Sequence, residues 1–255
     1  MNARPILAWP GGKRRLAKHI LPLFDNPHRC YVEPFAGGAA LLFMRSEPAP
    51  VEVINDIHSE LVCLYRCVRW HLDELVRQFR WALASREMFE WAKIERPETL
   101  TDIQRAARFL YLQKLAFGAK VTGHTFGTSA TQPPRLNLLR LEEDLSAAHL
   151  RLARVTIEHL PWQDCMQRYD RKDTLFFCDP PYWQTTGYGP DFDIDQYRHL
   201  AGIMAKAKGR VILTINDHPD MRRIFGKFLV RRLRTTYTIG GKHAKAGELL
   251  ITSGF

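Results

Sequence analysis

Two stretches in which strand-length apolar runs alternate with helical ones enclose a middle that reads as helical, and this arrangement most constrains what the chain can fold into. Near the N-terminus, Cys30-Tyr-Val-Glu-Pro-Phe35 reads as a strand, Gly37-Gly38 as a turn, Ala39 to Met44 as a helix and Val51-Glu-Val-Ile54 as a second strand. Strand signals return at Thr174-Leu-Phe-Phe-Cys178, Arg210 to Ile215, Leu229 to Leu233 and Leu249 to Thr252, with a helix around Asp195 to Ala207. Between them, Trp70, Leu75, Phe79, Leu83, Phe89, Phe109 and Leu112 recur at helical spacing from Leu61 to Leu115, broken at Arg96-Pro97. Residues 116 to 137 have the Gly, Thr, Ser and Pro content of a loop or hairpin. The expectation is one α/β sheet domain carrying a helical insertion.

The chain's 255 residues suffice for both parts, and its 45% apolar and 25% charged content is that of a globular protein. Runs such as Val211-Ile-Leu-Thr-Ile215 are strand length and far below what a membrane span requires. The first residues carry too short an apolar stretch for a secretory signal, so a cytoplasmic location is expected. Five cysteines without a Cys-x-x-Cys pair indicate neither a disulfide framework nor a structural zinc. The formal net charge is +10, and Lys206 to Lys245 alone holds eleven bases against two acids. Such a segment suits phosphate neutralisation, although a membrane surface or mere solubility would also account for it.

Two segments carry chemistry. Glu33-Pro-Phe-Ala-Gly-Gly-Ala39 follows a strand, and 18 residues beyond Gly38 stands Asp56 at the end of the next strand. Glycines let a ligand approach the strand-to-helix turn, and an acid ending the second strand accepts hydrogen bonds from ribose hydroxyls. Glu33 would repel a pyrophosphate, so a cationic or zwitterionic nucleoside such as S-adenosylmethionine fits better than NAD. Glu33, Phe35, Gly37 and Asp56 are therefore candidate cofactor contacts.

The second segment is Cys178-Asp-Pro-Pro-Tyr-Trp183. Two prolines fix the backbone after the strand, presenting the Asp179 carboxylate, the Pro180 carbonyl and the Tyr182 ring. An exocyclic amino group on a purine is a poor nucleophile, because its lone pair is delocalised into the ring. Two acceptors on its N–H groups draw the nitrogen toward tetrahedral geometry, and an aromatic ring holds the flipped base in line.

With Leu7-Ala-Trp-Pro-Gly-Gly-Lys13, Tyr31 to Gly38, Asn55-Asp56, Asp179 to Tyr182 and Glu248-Leu-Leu-Ile-Thr252 in this order, the chain resembles the Dam-like N6-adenine DNA methyltransferases of the alpha group. The resemblance implies a Rossmann-like sheet of the S-adenosylmethionine-dependent methyltransferases with an inserted, mainly helical target-recognition domain. It implies a catalytic domain over 1–62 and 155–255 and the recognition domain over 63–154. It places Trp9 and Lys13 at the cofactor's methionine end, Asp56 on its ribose and Asp164 on its adenine amino group, with Asp179 between cofactor and target. It implies double-stranded DNA as partner, and a palindromic target would suit a homodimer.

The loop Phe117-Gly-Ala-Lys-Val-Thr-Gly-His-Thr-Phe-Gly127 departs from the Asn-Gly-Leu-x-Arg pattern of the Dam subgroup, so GATC recognition is not implied. Phe117, Lys120, His124 and Thr125 are candidate DNA contacts. Thr235 to Ile239 and Glu248 to Thr252 read as paired strands around a loop, Gly240 to Gly247, whose Lys242, His243 and Lys245 would reach the DNA backbone. The competing readings are cytosine-N4 methylation, RNA adenine methylation and a non-catalytic DNA-binding regulator.

Overall fold

Seven strands form one sheet in the order β3-β2-β1-β4-β5-β7-β6, all running in one direction except β7, which is antiparallel to both its neighbours. The computed structural model describes residues 3–119, 121–127, 131, 133–185, 192–239 and 242–254, with the side chains of 119, 234–239 and 242–246 excepted. A short 3-10 turn, Lys13–Arg15, leads to α1 (Ala17–Ile20), then β1 (Cys30–Glu33), α2 (Ala40–Met44) and β2 (Val51–Asn55). Five helices follow before the sheet resumes: α3 (Ser59–Trp70), α4 (Leu72–Arg77), α5 (Arg86–Ile94), α6 (Asp102–Leu115) and α7 (Leu138–Leu152). The chain then alternates through β3 (Val155–Glu158), α8 (Trp162–Tyr169), β4 (Thr174–Cys178), α9 (Ile194–Lys206), β5 (Arg210–Asn216) and α10 (Pro219–Ile224). It ends in the hairpin β6 (Leu229–Ile239) and β7 (Lys242–Ser253).

The central strands are apolar on both faces because both are covered. In β4, Leu175 and Phe177 point into the cluster shared with α3, α6 and α7, while Phe176 and Cys178 point into the cluster of α8, α9 and α10. The inserted helices thus have no core of their own: Phe109, Leu112, Leu141 and Leu145 belong to the same cluster as Tyr31 and Ile54 of the sheet. Their starts are set locally. The Ser85 hydroxyl accepts from the Met88 N–H, Thr101 and Gln104 form a reciprocal capping box, and the Asn137 side chain accepts from the Leu139 N–H.

The structure corrects the C-terminal hairpin. Thr235–Ile239 pairs with Lys242–Ala246, and Glu248–Thr252 pairs with Leu229–Leu233. Lys242, His243 and Lys245 therefore lie within β7 and not in an eight-residue loop. The strand register wins over the glycines: Gly247 sits opposite Arg234, and a Cβ there would meet the Asp217 Cβ at 2.9 Å, so this glycine serves a close approach and not a turn. Helix α7 and strand β3 lie where the sequence reading had no element. Leu141, Leu145, Ala148 and Leu152 give α7 its buried stripe, whereas β3, four residues long with only Val155 and Ile157 buried, carries little signal.

Candidate active site

Strands β1 and β4 are parallel neighbours in space but far apart in sequence, and the order in which strands are added to the sheet reverses between them, the point where open α/β sheets bind ligands. Their carboxyl ends deliver Glu33 and Asp179 to one cavity of about 760 Å3. The cavity reaches from Trp9, Lys13, Phe35, Gly37 and Asp56 to Pro180 and Tyr182, and is closed on another side by Lys114, Arg140 and Asp144 of the inserted helices.

One end is built to hold a nucleoside. The Gly37 N–H donates to Asp56 Oδ2 at 2.8 Å and the His58 N–H donates to Oδ1 at 2.9 Å, so a single carboxylate ties the turn after β1 to the turn after β2. Gly37 has φ +48° and lies under the Trp9 indole, where a Cβ would meet the ring at 2.6 Å. The Tyr65 hydroxyl donates to the Gly37 carbonyl, and the Asn55 amide bridges the Pro34 and Leu160 carbonyls. Burial raises the Asp56 pKa against the opposing pull of these N–H donors. Phe35 and Trp162, 5.7 Å apart, give the cavity an aromatic wall, completed by Phe192.

The other end is built around Asp179. Lys13 Nζ lies 2.6 Å from Asp179 Oδ2, and the Thr214 hydroxyl donates to Oδ1 at 2.9 Å. Burial raises the Asp179 pKa, while Lys13 and then Thr214 pull it back. Lys13 is itself buried, donates to the Gly11 carbonyl and stands 4.8 Å from the centre of the Tyr182 ring. The turn after β4 is pinned at both backbone positions of Trp183: its N–H donates to Asn216 Oδ1 at 2.9 Å, and its carbonyl accepts from Asn216 Nδ2 at 3.0 Å. The carbonyls of Pro181 and Tyr182 accept from Tyr197 and Thr185. Among the described residues, none donates to the carbonyl of Pro180, which leaves it available to a ligand in the cavity that it lines.

Glu33 is fully enclosed, accepts from the Tyr31 hydroxyl and the Leu42 N–H at 2.9 Å each, and is pushed up to about 7 by burial. Glu33, Asp56, Asp144 and Asp179 line the cavity together with Lys13, Lys114 and Arg140, so a ligand carrying both signs of charge finds partners for each.

Of the residues expected at the site, Trp9, Lys13, Glu33, Phe35, Gly37, Asp56, Asp179, Pro180 and Tyr182 all line this cavity. Asp164 does not: it lies exposed in the first turn of α8, and its neighbour Gln163 lines the cavity instead. Phe117 and Thr125 are exposed on a hairpin closed by the Ala116–Phe126 bridge, in which the Phe117 N–H donates to the Thr125 carbonyl. His124 is half-buried, 3.0 Å from the Gln113 amide, and burial lowers its pKa. Lys120 lies outside the described residues, as do the side chains of Lys242, His243 and Lys245. Within the basic segment, Arg222 pairs with Asp217 at 2.5 Å and Arg223 with Asp220 at 3.7 Å, so part of its charge is met locally.

Sequence reasoning missed Thr214 and Asn216, and it gave Glu248 of the C-terminal motif no role at the site; the three form one patch across β5 and β7. Asn216 and Glu248 are opposite each other in the ladder, and Thr214 and Asn216 share a face. Only the strand pairing brings them to the turn at Asp179.

Residues 9–239 match the model of the D12 class N6 adenine-specific DNA methyltransferases. The chain is 26% identical to a DNA adenine methylase of Haemophilus influenzae, over 100% of this chain and 95% of that one. It is 26% identical to a DNA adenine methylase of Escherichia coli strain K12, over 97% and 94%. A Type II methyltransferase, M.CviBI of Paramecium bursaria Chlorella virus NC1A, is 24% identical over 98% and 97%. Among solved structures, TrmN from Thermus thermophilus is similar at 14% identity and a TM-score of 0.40, covering 92% of this chain and 48% of that one.

Proposed function

Because this chain belongs to the D12 class of N6 adenine-specific DNA methyltransferases, we propose that its cavity receives S-adenosylmethionine at the Asp56 end and an adenine rotated out of duplex DNA at the Asp179 end. The chain's activity is methylation of adenine N6 in DNA. The residues present suit this cofactor. Asp56 retains lone pairs for ribose hydroxyls, Phe35 and Trp162 supply an aromatic wall for a purine, and Lys13 offers a charge to a carboxylate. Trp9 presents an aromatic ring to a sulfonium. The cofactor supplies an electrophilic methyl group.

The chain's own part is to aim a weak nucleophile. Asp179 Oδ and the Pro180 carbonyl accept the two N–H bonds of the target amino group, which directs its lone pair into the cavity. Thr214 and Lys13 hold the carboxylate in one orientation, and both oppose the rise that burial imposes on its pKa. Tyr182 stacks on the base. The proton released from the amino nitrogen passes to the Asp179 carboxylate, the acceptor already in contact with it. The observation that carries this reading is the Asp179 carboxylate, fixed by two partners beside the available Pro180 carbonyl at the cavity wall.

Residues 63–154 supply target recognition in this reading, with the exposed Phe117 and Thr125, and Lys120, at the bases. Lys242, His243 and Lys245 act on the DNA backbone. The test is to express wild type and Asp179→Ala in a methylation-free host and map modified bases in the genomic DNA. N6-methyladenine in one short context, absent with the variant, is the expected result. Methylcytosine, or no mark despite soluble wild-type protein, would overturn it.

A further inference from the structure

The Glu248 carboxylate is only 1% exposed and comes from β7, an element outside every loop named so far. Three groups of the reaction centre surround it. The Tyr182 hydroxyl and both carboxylate oxygens are buried, and the hydroxyl stands close enough to favour the charged carboxylate, which the Lys13 ammonium attracts and the Asp179 carboxylate repels. Tyr182 is also buried, and its ring carries Lys13 at 4.8 Å. Glu248 stands opposite Asn216, the residue that clamps the backbone of Trp183 next to Tyr182.

We infer that Glu248 is a positioning residue for the stacking ring: its carboxylate holds the Tyr182 hydroxyl, fixes the plane on which the target adenine lies, and shares Lys13 with Asp179. The inference rests on the adenine-flipping reading above. A Tyr ring rotates about two bonds, and the pinned backbone of 181–183 constrains neither of them. A stacking surface must be fixed before the base arrives, since a mobile ring loses ordering entropy on every encounter. A hydrogen bond at the far end of the ring removes that freedom. A carboxylate serves better than a neutral acceptor here, because charge-assisted bonds are shorter and stronger and because it also anchors the ammonium that faces the ring. Burial works against this arrangement by raising the Glu248 pKa to about 7, with Lys13 and the Tyr182 bond opposing the rise.

The test uses full-length protein and two duplexes of the methylated sequence, one with adenine at the target position for turnover and one with 2-aminopurine there, which has no 6-amino group, for fluorescence. Its fluorescence rises on flipping and is quenched by stacking on an aromatic ring. With Glu248→Ala the flipped probe should be brighter than with wild type, and kcat should fall about 10- to 100-fold, while the affinity for S-adenosylhomocysteine changes less than about threefold. Tyr182→Phe, which keeps the ring and removes only the hydroxyl, should reproduce the bright probe. Adding Glu248→Ala to it should then change nothing further. Glu248→Gln, which keeps an acceptor of the same shape, should lie between, and serves if the alanine variant does not fold. A wild-type signal in Glu248→Gln and Tyr182→Phe, or fully additive losses, would overturn the assignment. Failure of wild type to methylate the adenine duplex would instead refute the adenine reading, so the two failures are distinct.

Discussion

The turn at Asp179–Trp183 and the hairpin at 116–127 are both loops facing the expected substrate, yet they are built in opposite ways. In the first, Asp179, Pro181 and Trp183 are each tied to a neighbouring element by a named hydrogen bond or ion pair, the Tyr182 carbonyl accepts from Thr185 of the same loop, and the Tyr182 side chain is buried. In the second, the backbone is closed by a single bridge made of two hydrogen bonds, Phe117 is 49% exposed, and Thr125 is exposed. A group that aims a lone pair needs sub-ångström placement, which only a supporting shell provides. A surface that meets DNA gains from side chains that face solvent until the duplex arrives, and requires only that the scaffold beneath be firm.

If support is what separates the two regions, removing one strut beneath the catalytic turn should have the largest effect of any change outside it. Asn216→Ala deletes both hydrogen bonds to the Trp183 backbone without touching the cavity wall. We expect kcat to fall about 100-fold, the scale of a misplacement near 1 Å, and stability to fall by about 2 kcal/mol from two lost bonds to backbone. Cofactor binding, measured by calorimetry, should change little, because Asn216 lies away from Trp9, Gly37 and Asp56. Equal losses of cofactor affinity and kcat would show that the turn and the nucleoside end form one unit and would dissolve the contrast.

The two regions also differ in how far their residues announce themselves in the sequence. Asp179-Pro-Pro-Tyr182 is contiguous, and the prolines themselves dictate its shape, so its placement at the end of a strand could be read directly. The same holds for Gly37 and Asp56, whose spacing fits a strand-turn-helix-strand unit. What stayed hidden depends on pairing between distant strands. Thr214, Asn216 and Glu248 look like ordinary strand residues until β5 and β7 are set side by side. The hairpin register failed for a related reason: Gly240-Gly241 and Gly247 compete as turn signals, and the long antiparallel ladder with β6 decides between them. Asp164 and Gln163 are adjacent on α8, and the helix's rotation, set by Trp162, Cys165 and Met166 in the core, decides which one faces the cavity.

Burial of charge sharpens the comparison further. Glu33, beneath the catalytic end, has a folded pKa of about 7 against an ordinary 4.5, with burial as the dominant cause. As pH rises from about 4.5 to about 7, the unfolded chain gives up this proton while the folded one retains it. Stability from this group is therefore complete below pH 4.5 and is lost as pH approaches 7. The shift corresponds to about 3 kcal/mol. Glu33→Gln removes the titration, so the stability difference between variant and wild type should move in the variant's favour by up to that amount across the window. Chemical denaturation at a series of pH values checks this. A pH-independent difference would place Glu33 in an environment as wet as the hairpin's.

The smallest effects are expected in the hairpin, where two phenylalanines separate scaffold from surface. Phe126 stacks edge-on against the buried Phe89, with ring centres 5.3 Å apart, and lies beneath the Arg86 guanidinium. Phe117 is turned to solvent. Phe126→Ala should cost about 1 to 2 kcal/mol of stability through the lost aromatic packing. Phe117→Ala should leave stability within about 0.5 kcal/mol. Their order should invert on DNA: Phe117→Ala should weaken or relax target choice in a methylation map while the folded protein is unchanged by thermal denaturation. If Phe117→Ala were instead as destabilising as Phe126→Ala and left the methylation pattern intact, the hairpin would be support like the catalytic turn, and the recognition surface would have to be sought elsewhere on the inserted helices.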